Sequence, residues 1–120
     1  MPLQRLNPSQ RWSDATVFNG IAHFVEVPED TSADMVGQAR QIFQQAEQTL
    51  AAIGSDHSQL LSATIYITDI SQVDAFNACW DAWLPEGAAP SRACIKVELL
   101  DPAMLVEIAF VAVCSESKET

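Results

Sequence analysis

Residues 105–113 constrain the fold of this chain more than any other segment, because they are almost continuously apolar yet far shorter than a membrane span. A short run rich in valine, isoleucine and phenylalanine is typical of a buried central strand. Successive side chains point to opposite faces of a strand, so both faces of this one need apolar cover. The segment therefore predicts a sheet that is covered on both sides.

Two further strands are predicted near the N-terminus, over residues 13–18 and 21–27. They are joined by Asn19-Gly20, the dipeptide that favours a type I′ turn between antiparallel strands. Another strand is predicted over residues 61–68, where apolar and polar side chains alternate with the period of two expected when one face is buried.

Two helices are predicted, over residues 33–53 and 72–84, from apolar side chains spaced three and four apart. Thr31 and Asp34 precede the first helix with the spacing of a capping box, and Gly54 follows it as a stop. Each helix has one apolar side, which is available for packing against a sheet.

One more strand starts at Arg92, so the predicted order of elements is ββαβαββ. Two helices beside a mixed sheet predict an α+β sandwich in which both helices cover one face. Residues 1–120 are expected to form a single domain, since no repeat or linker is visible. No helix remains for the other face, so a second copy of the chain is its expected cover.

The composition argues against several classes of function. Sixteen acidic and six basic residues give a net charge of −10, which opposes binding to DNA or RNA. No membrane-span or signal-peptide pattern is visible, so the cytoplasm is the expected compartment and no membrane partner is predicted. The three cysteines and two histidines match no zinc or CxxC spacing. Reduced thiols and no metal site are therefore expected.

Arg92 is the first candidate for binding chemistry, because it directly follows a proline-containing loop at the start of a strand. A guanidinium fork on a fixed backbone can hold a carboxylate through two parallel hydrogen bonds. The alternative is a salt bridge at the protein surface with one of the sixteen acidic residues. Position alone leaves both interpretations open.

Glu107 is the only charged residue in the apolar run 105–113, and a charge in such a run needs a partner. If this run forms a hairpin with the strand before it, the register predicts four side chains on one face: Arg92, Cys94, Lys96 and Glu107. Glu107 then either serves an anion site with Arg92 or pairs with Lys96 across the ladder. Cys94 has no nearby histidine in the sequence to activate its thiol.

Asn77 and the tryptophans also admit two interpretations. Asn77 lies on the apolar side of the second predicted helix, where an amide usually bonds to the backbone. Trp12, Trp80 and Trp83 could form a stacking platform for a ligand, but helical spacing of the last two favours packing.

With these residues placed, the chain resembles the RidA (YjgF-type) family, whose members include hydrolases of reactive enamines and imines released by pyridoxal-phosphate enzymes. The resemblance covers about residues 11–113 and is strongest to the YoaB-like branch. The segments that carry it are Arg11-Trp12-Ser13-Asp14, Gly54, Ala63-Thr64-Ile65-Tyr66-Ile67-Thr68-Asp69, Phe76-Asn77, Trp80-Asp81-Ala82-Trp83, Ala89-Pro90-Ser91-Arg92-Ala93-Cys94 and Val106-Glu107-Ile108.

The resemblance implies a homotrimer with a chorismate-mutase-like fold and clefts between its subunits. It implies that Arg92 binds a substrate carboxylate, that Cys94 lies beside it, and that Glu107 lies near the reacting water. These three are the predicted catalytic residues. Asn77 matches a polar position near the cleft, and no cofactor is implied.

Two positions depart from the pattern of the family. Its second strand usually carries a Ser-Gly or Thr-Gly pair, whereas residues 24–28 of this chain offer Val25 and Glu26 instead. The tyrosine of its N-terminal segment has no counterpart, and Trp12 or Ser13 takes that place. Trp12 and Val25 are therefore predicted to line the substrate cleft.

Two functions follow from these residues. The first is hydrolysis of a small 2-imino acid to a 2-keto acid and ammonia, by positioning and one proton shuttle without a cofactor. The second is a non-catalytic module that binds a 2-keto acid or a related carboxylate as a sensor. In both, the partner is a small carboxylate-bearing metabolite.

Overall fold

The computed structural model describes residues 2–114. They form six strands and two helices, connected by turns and two short 3₁₀ segments. In chain order the elements are β1 (Gln4–Leu6), β2 (Ala15–Phe18), β3 (Ile21–Glu26), α1 (Met35–Ala52), β4 (Leu60–Ile67), α2 (Val73–Trp83), β5 (Ser91–Lys96) and β6 (Val106–Val113).

All six strands belong to one sheet, in the order β1-β2-β3-β6-β4-β5. β4 and β5 are parallel, whereas the other neighbouring strands are antiparallel, so the sheet is mixed. β6 lies at its centre, between β3 and β4, which confirms the prediction from its apolar sequence. The short edge strand β1 is an addition that the sequence pattern did not indicate.

Both helices pack on the same face of the sheet, which confirms the predicted α+β sandwich. The core lies between the two layers. The strands contribute Ile65, Ile108 and Phe110, and the helices contribute Ile42 and Phe76, all of them buried. Burying side chains of this size stabilises a fold by about 1.5–3 kcal/mol each.

Asp34 and Gly54 set the two ends of the first helix. The Asp34 carboxylate accepts a hydrogen bond from the backbone N–H of Gly37 at 2.9 Å, so Asp34 itself is the N-cap. The predicted capping box with Thr31 as its cap is therefore wrong. Gly54 follows the helix with a φ of +74°, a left-handed conformation that ends helices and favours glycine.

Strand β5 does not form the predicted hairpin with β6. It lies at the sheet edge and pairs only with β4, in parallel, with Arg92 opposite Ala63 and Cys94 opposite Ile65. The predicted register between β5 and β6 is therefore wrong. Strands on either side of a helix usually run parallel, and α2 connects β4 to β5 in this way.

Gln38 is a buried polar residue that sequence reasoning missed. Its Nε2 lies within 3.0 Å of the carbonyl oxygens of Ala33 and Ala103 and 3.3 Å from that of Thr31. Its Oε1 accepts a hydrogen bond from the backbone N–H of Leu105 at 2.7 Å. The side chain thus ties the start of α1 to the segment that leads into the central strand.

Residues 2–114 leave the face of the sheet opposite the helices without cover. It presents Phe18, Val25, Ile95 and Val113, which are 37–54% exposed. This confirms the expectation that one chain leaves a sheet face without cover. Among the helices described, none is long and apolar enough to cross a membrane.

Candidate functional site

Arg92, Asn77 and Trp80 lie together at the β5 edge of the sheet. The Nη2 of Arg92 donates a hydrogen bond to Oδ1 of Asn77 at 2.7 Å. The guanidinium carbon lies 5.3 Å from the centroid of the Trp80 ring, within the range of a cation–π contact. Within residues 2–114 the recorded partners of Arg92 are these two neutral side chains, and no ion pair of Arg92 with an acidic residue is present there.

The fold explains why these side chains meet. Asn77 and Trp80 are three residues apart on α2, so they project from the same side of the helix. Arg92 lies opposite the buried Ala63 on the parallel strand β4, and its side chain therefore points to the helix-covered face. Because β5 is an edge strand, this arginine stays exposed while its partners are partly or fully buried.

Cys94 and Lys96 follow Arg92 on the same face of β5, opposite Ile65 and Ile67 of β4. Both are exposed, as is all of β5. Cys94 is a free thiol. The structure thus brings the predicted Arg92, Asn77 and Cys94 to one edge of the sheet.

Glu107 does not lie with them. It is opposite Tyr66 in the antiparallel pair of β4 and β6, and both side chains point to the uncovered face. The predictions that Glu107 shares a face with Arg92, or pairs with Lys96 across the ladder, are therefore wrong. The sheet itself separates the two charges within one chain. Glu107 is half-buried on the central strand.

Trp12 and Val25 lie together but far from Arg92 within one chain. They line a cleft of about 580 Å³ with Glu26, Glu29 and Gln45. Trp12 is 67% exposed and Val25 is 54% exposed. Three strand spacings separate β3 from β5, or about 14 Å at the usual spacing between strands.

Glu26 is the unusual carboxyl of this cleft. Its oxygens accept hydrogen bonds from Thr49 Oγ1 at 2.8 Å and from Gln45 Nε2 at 3.3 Å, both on α1. Burial raises the pKa of Glu26 above its ordinary value of 4.5, and the carboxylates of Asp14 and Glu29 add to the rise. The two hydrogen bonds oppose this shift in pKa.

We expect Glu26→Gln to stabilise the protein at pH 7. A carboxyl whose pKa is raised in the folded state binds its proton more tightly there, so the contribution of Glu26 to the stability of the wild type falls as pH rises above about 4.5. The variant lacks this loss. Its melting temperature should exceed that of the wild type by about 1–3 °C at pH 7 and by less at pH 4.

Thermal unfolding followed by circular dichroism at both pH values measures this difference. Glu29→Gln removes one negative charge from the same cleft and controls for net charge. An equal gain in melting temperature for Glu26→Gln at pH 4 and pH 7 would show that the titration of Glu26 is not its cause.

Metal ligands do not cluster in the described part of the chain. Among residues 2–114, no three His, Cys, Asp or Glu side chains are placed to hold a metal ion. The chemistry available at the β5 edge is therefore that of a guanidinium held by an amide and an indole. Two half-buried carboxyls lie elsewhere, Glu26 against α1 and Glu107 on the uncovered face of the sheet.

The contact of Trp80 with Arg92 was missed by sequence reasoning, which favoured packing for Trp80 over a stacking platform for a ligand. Packing is part of its role, since its ring lies 6.0 Å from those of Phe43, Phe76 and Trp83. The spacing of Asn77 and Trp80 on one helix was the available signal. The sequence alone did not show which strand lies beside that helix.

Similarity to known proteins places this arrangement in a family. The profile of the family described as Endoribonuclease L-PSP matches residues 2–114. The chain is 36% identical over 112 residues to the RutC family protein YoaB of Escherichia coli, covering 93% of this chain and 98% of that protein. It is 30% identical over 90 residues to the E. coli protein named 2-iminobutanoate/2-iminopropanoate deaminase, covering 73% and 67% of the two chains.

Solved structures agree with this assignment. A member of the YjgF protein family from Neisseria meningitidis superposes with a TM-score of 0.92 at 32% identity, over 98% of each chain. A protein from Pseudomonas aeruginosa superposes with a TM-score of 0.93 at 33% identity, over 95% of this chain and all of that one. With its sheet order, its two helices and these similarities, the chain belongs to the Endoribonuclease L-PSP (RidA/YjgF) family, on its YoaB-like side.

Proposed function

We propose that this protein hydrolyses small 2-imino acids to 2-keto acids and ammonia, in a cleft between subunits of a homotrimer. The observation that carries the proposal is the exposed Arg92 guanidinium, which is held by neutral partners and keeps donors for a ligand. Such a fork suits the carboxylate of a short 2-imino acid. A relative named as an imine deaminase supports the same chemistry.

A cleft between copies accounts for the separation of Arg92 and Glu107. The two residues face opposite sides of the sheet within one chain, so one copy cannot bring both to the same small ligand. The uncovered face, which carries Glu107 and Val25, is the surface on which a second copy packs. The β5 edge of that copy then supplies Arg92, Asn77 and Cys94 to the shared cleft.

The reaction needs only positioning and one proton shuttle. Arg92 holds the carboxylate, and Glu107 takes a proton from the water that attacks the imine carbon. That proton passes to the imine nitrogen and gives a carbinolamine. The hydroxyl proton of the carbinolamine then moves through Glu107 to the amine nitrogen, so that cleavage of the C–N bond releases ammonia and leaves the 2-keto acid. Water is the only co-reactant. Cys94 lies beside the carboxylate and Trp12 and Val25 border the substrate.

The cytoplasm is the proposed site of this reaction. Cys79 and Cys94 are free thiols, which suits a reducing compartment. The net charge of −10 does not favour RNA as a ligand, and no nucleic-acid partner is proposed.

The wild-type protein is expected to accelerate the hydrolysis of 2-iminopropionate. The imine is made in situ by an amino-acid oxidase acting on alanine, and the remaining imine is trapped with semicarbazide. Orienting the carboxylate and shuttling one proton should raise the hydrolysis rate by about 10²-fold or more over buffer. The yield of semicarbazone should fall in proportion to the concentration of protein.

A second function is favoured by the distance of Glu107 from Arg92 within one chain. A site made of Arg92 and Asn77 alone could bind a 2-keto acid without hydrolysing its imine, and the protein would act as a sensor. The semicarbazone yield distinguishes the two functions, because only the hydrolase lowers it. An unchanged yield, together with calorimetric binding of pyruvate that is lost in Arg92→Ala, would establish the binding module and rule out the hydrolase.

We also expect the protein to be a homotrimer of about 39 kDa, three times the 13.1 kDa of one chain. The apolar uncovered face needs cover, and the resemblance to RidA implies threefold closure. Light scattering across a size-exclusion peak measures the mass. A mass near 13 kDa at micromolar concentration would contradict the assembly and the shared cleft.

Two substitutions test whether the uncovered face is the interface. Ile95→Asp places a charge on that face and should shift the mass toward that of the monomer. Ile70→Asp places the same charge at an apolar residue that is 65% exposed in the turn before α2, and should leave the trimer intact.

A further inference from the structure

We propose that Trp80 is a positioning residue of the carboxylate site: its indole face supports the Arg92 guanidinium and, with Asn77, fixes the direction of the fork. The inference rests on the proposed function of Arg92 as a carboxylate ligand. It adds a residue for which pattern analysis favoured packing.

The Arg92 side chain is restrained from two directions by one helix. Its Nη2 is 2.7 Å from Asn77 Oδ1, and its guanidinium carbon is 5.3 Å from the Trp80 centroid. The indole face is electron-rich and attracts a cation above it. Of five N–H donors on the guanidinium, one serves Asn77 and four remain for a ligand.

Trp80 is itself immobilised, so it can act as a support. It is only 4% exposed although it lies next to an exposed edge strand. Its ring contacts Phe43 of α1 as well as Phe76 and Trp83 of α2, each with centroids about 6 Å apart. Any rotation of the indole would have to displace this aromatic cluster.

Restraint of the Arg92 side chain before a ligand arrives increases the affinity for that ligand. A long side chain that moves freely in solvent loses rotamer freedom when it grips a ligand, and that loss weakens binding. A guanidinium that already rests on an indole loses less freedom. Trp80 should therefore raise the affinity for carboxylates without touching the ligand or the reacting atoms.

Removing the aromatic face should weaken binding in a defined way. We expect Trp80→Leu to bind pyruvate about 2- to 5-fold more weakly than the wild type by calorimetry, the size of a cation–π contact at an exposed site. KM for 2-iminopropionate should rise to the same extent while kcat stays nearly constant. Trp80→Phe keeps a smaller aromatic face and should recover most of the affinity.

Trp83→Leu is the matched control. Trp83 belongs to the same aromatic cluster and stacks on Phe43 at 4.4 Å, but the cation–π contact of Arg92 is with Trp80. Trp83→Leu should lower the melting temperature and leave the pyruvate affinity unchanged. Equal loss of affinity in the Trp80→Leu and Trp83→Leu variants would reduce the role of Trp80 to packing and overturn the proposal.

A second readout is independent of any ligand. The Arg92 Nε–H resonance of the wild type, observed by ¹⁵N nuclear magnetic resonance, should be shifted by the ring current of the indole. This shift should persist in Trp83→Leu, shrink in Trp80→Phe and vanish in Trp80→Leu. An Arg92 resonance that is unchanged in Trp80→Phe contradicts the positioning role even if Trp80→Leu fails to fold.

The outcomes also separate this inference from the proposed function. If the wild type binds no pyruvate, or if Arg92→Ala binds it equally well, the carboxylate site is wrong and only the resonance decides whether Trp80 holds Arg92. If pyruvate binding depends on Arg92 but neither Trp80 variant alters the affinity or the resonance, the positioning role fails and the carboxylate site stands.

Discussion

Arg92→Ala is expected to lower the affinity for pyruvate, and kcat/KM for 2-iminopropionate, by roughly 30- to 3,000-fold. In the proposed cleft between copies, the guanidinium and the ligand carboxylate would form a desolvated pair, and removing one partner of such a pair costs about 2–5 kcal/mol. Calorimetry gives the change in affinity and the semicarbazide assay gives the change in kcat/KM.

Lys96→Ala provides the matched control for charge. Lys96 lies on the same face of β5, four residues further along, and is also exposed. It should change the affinity little, because a cation at that position does not rest on Asn77 and Trp80. If Arg92→Ala changes neither the affinity nor kcat/KM, Arg92 is not the carboxylate ligand.

Arg92→Lys separates the charge from the shape of the side chain. Lysine keeps one positive charge but lacks the planar fork that binds both carboxylate oxygens at once. Its affinity for pyruvate should fall between those of the wild type and Arg92→Ala. An affinity equal to the wild type would mean that the site attracts anions by charge alone.

Local patterns predicted the elements of this fold well. The Asn19-Gly20 turn was correct because a type I′ turn needs two positive φ angles, and the structure gives +54° and +77°. The central position of β6 followed from its apolar sequence. These features depend on neighbouring residues, and the sequence displays them directly.

The pairing of β5 was wrong because strand pairing is a property of distant segments. β5 and β6 are adjacent in sequence, which favours a hairpin, but the sheet places β4 between them. The order strand, helix, strand around α2 was a signal for parallel pairing of β4 with β5. The proximity of β5 and β6 in sequence favoured a hairpin instead. The order of all six strands in the sheet shows that β5 pairs with β4.

The error in pairing carried over to the candidate site. The assumed hairpin of β5 with β6 fixed a register that placed Glu107 on the face of Arg92. A register that differs by one residue moves every side chain of a strand to the other face, so the error in pairing became an error in the face of Glu107. The prediction that Arg92, Cys94 and Lys96 share a face was correct. The prediction that Glu107 shares that face was wrong, and the position of Glu107 on the opposite face is what favours a cleft shared between copies.

Glu107→Gln is expected to lower kcat by about 10²-fold or more while pyruvate affinity stays within about threefold of the wild type. Glutamine keeps the shape and much of the hydrogen bonding of the carboxylate but cannot accept a proton from water. Glu98→Gln, an exposed residue after β5, serves as the control and should change neither value. A kcat equal to the wild type in Glu107→Gln would exclude this carboxylate as the proton shuttle.

Mixed trimers carry the test of Glu107 further, because in the proposed assembly its carboxylate reaches the ligand of Arg92 only across a subunit boundary. Each cleft of the proposed trimer needs Arg92 from one copy and Glu107 from its neighbour. In trimers reassembled from equal amounts of Arg92→Ala and Glu107→Gln chains, about a quarter of the clefts regain both native residues. The mixture should therefore recover about a quarter of wild-type turnover, although each variant alone is nearly inactive. If both residues came from the same chain, no mixture would recover activity, so the semicarbazide assay on reassembled trimers distinguishes a shared cleft from a site within one subunit.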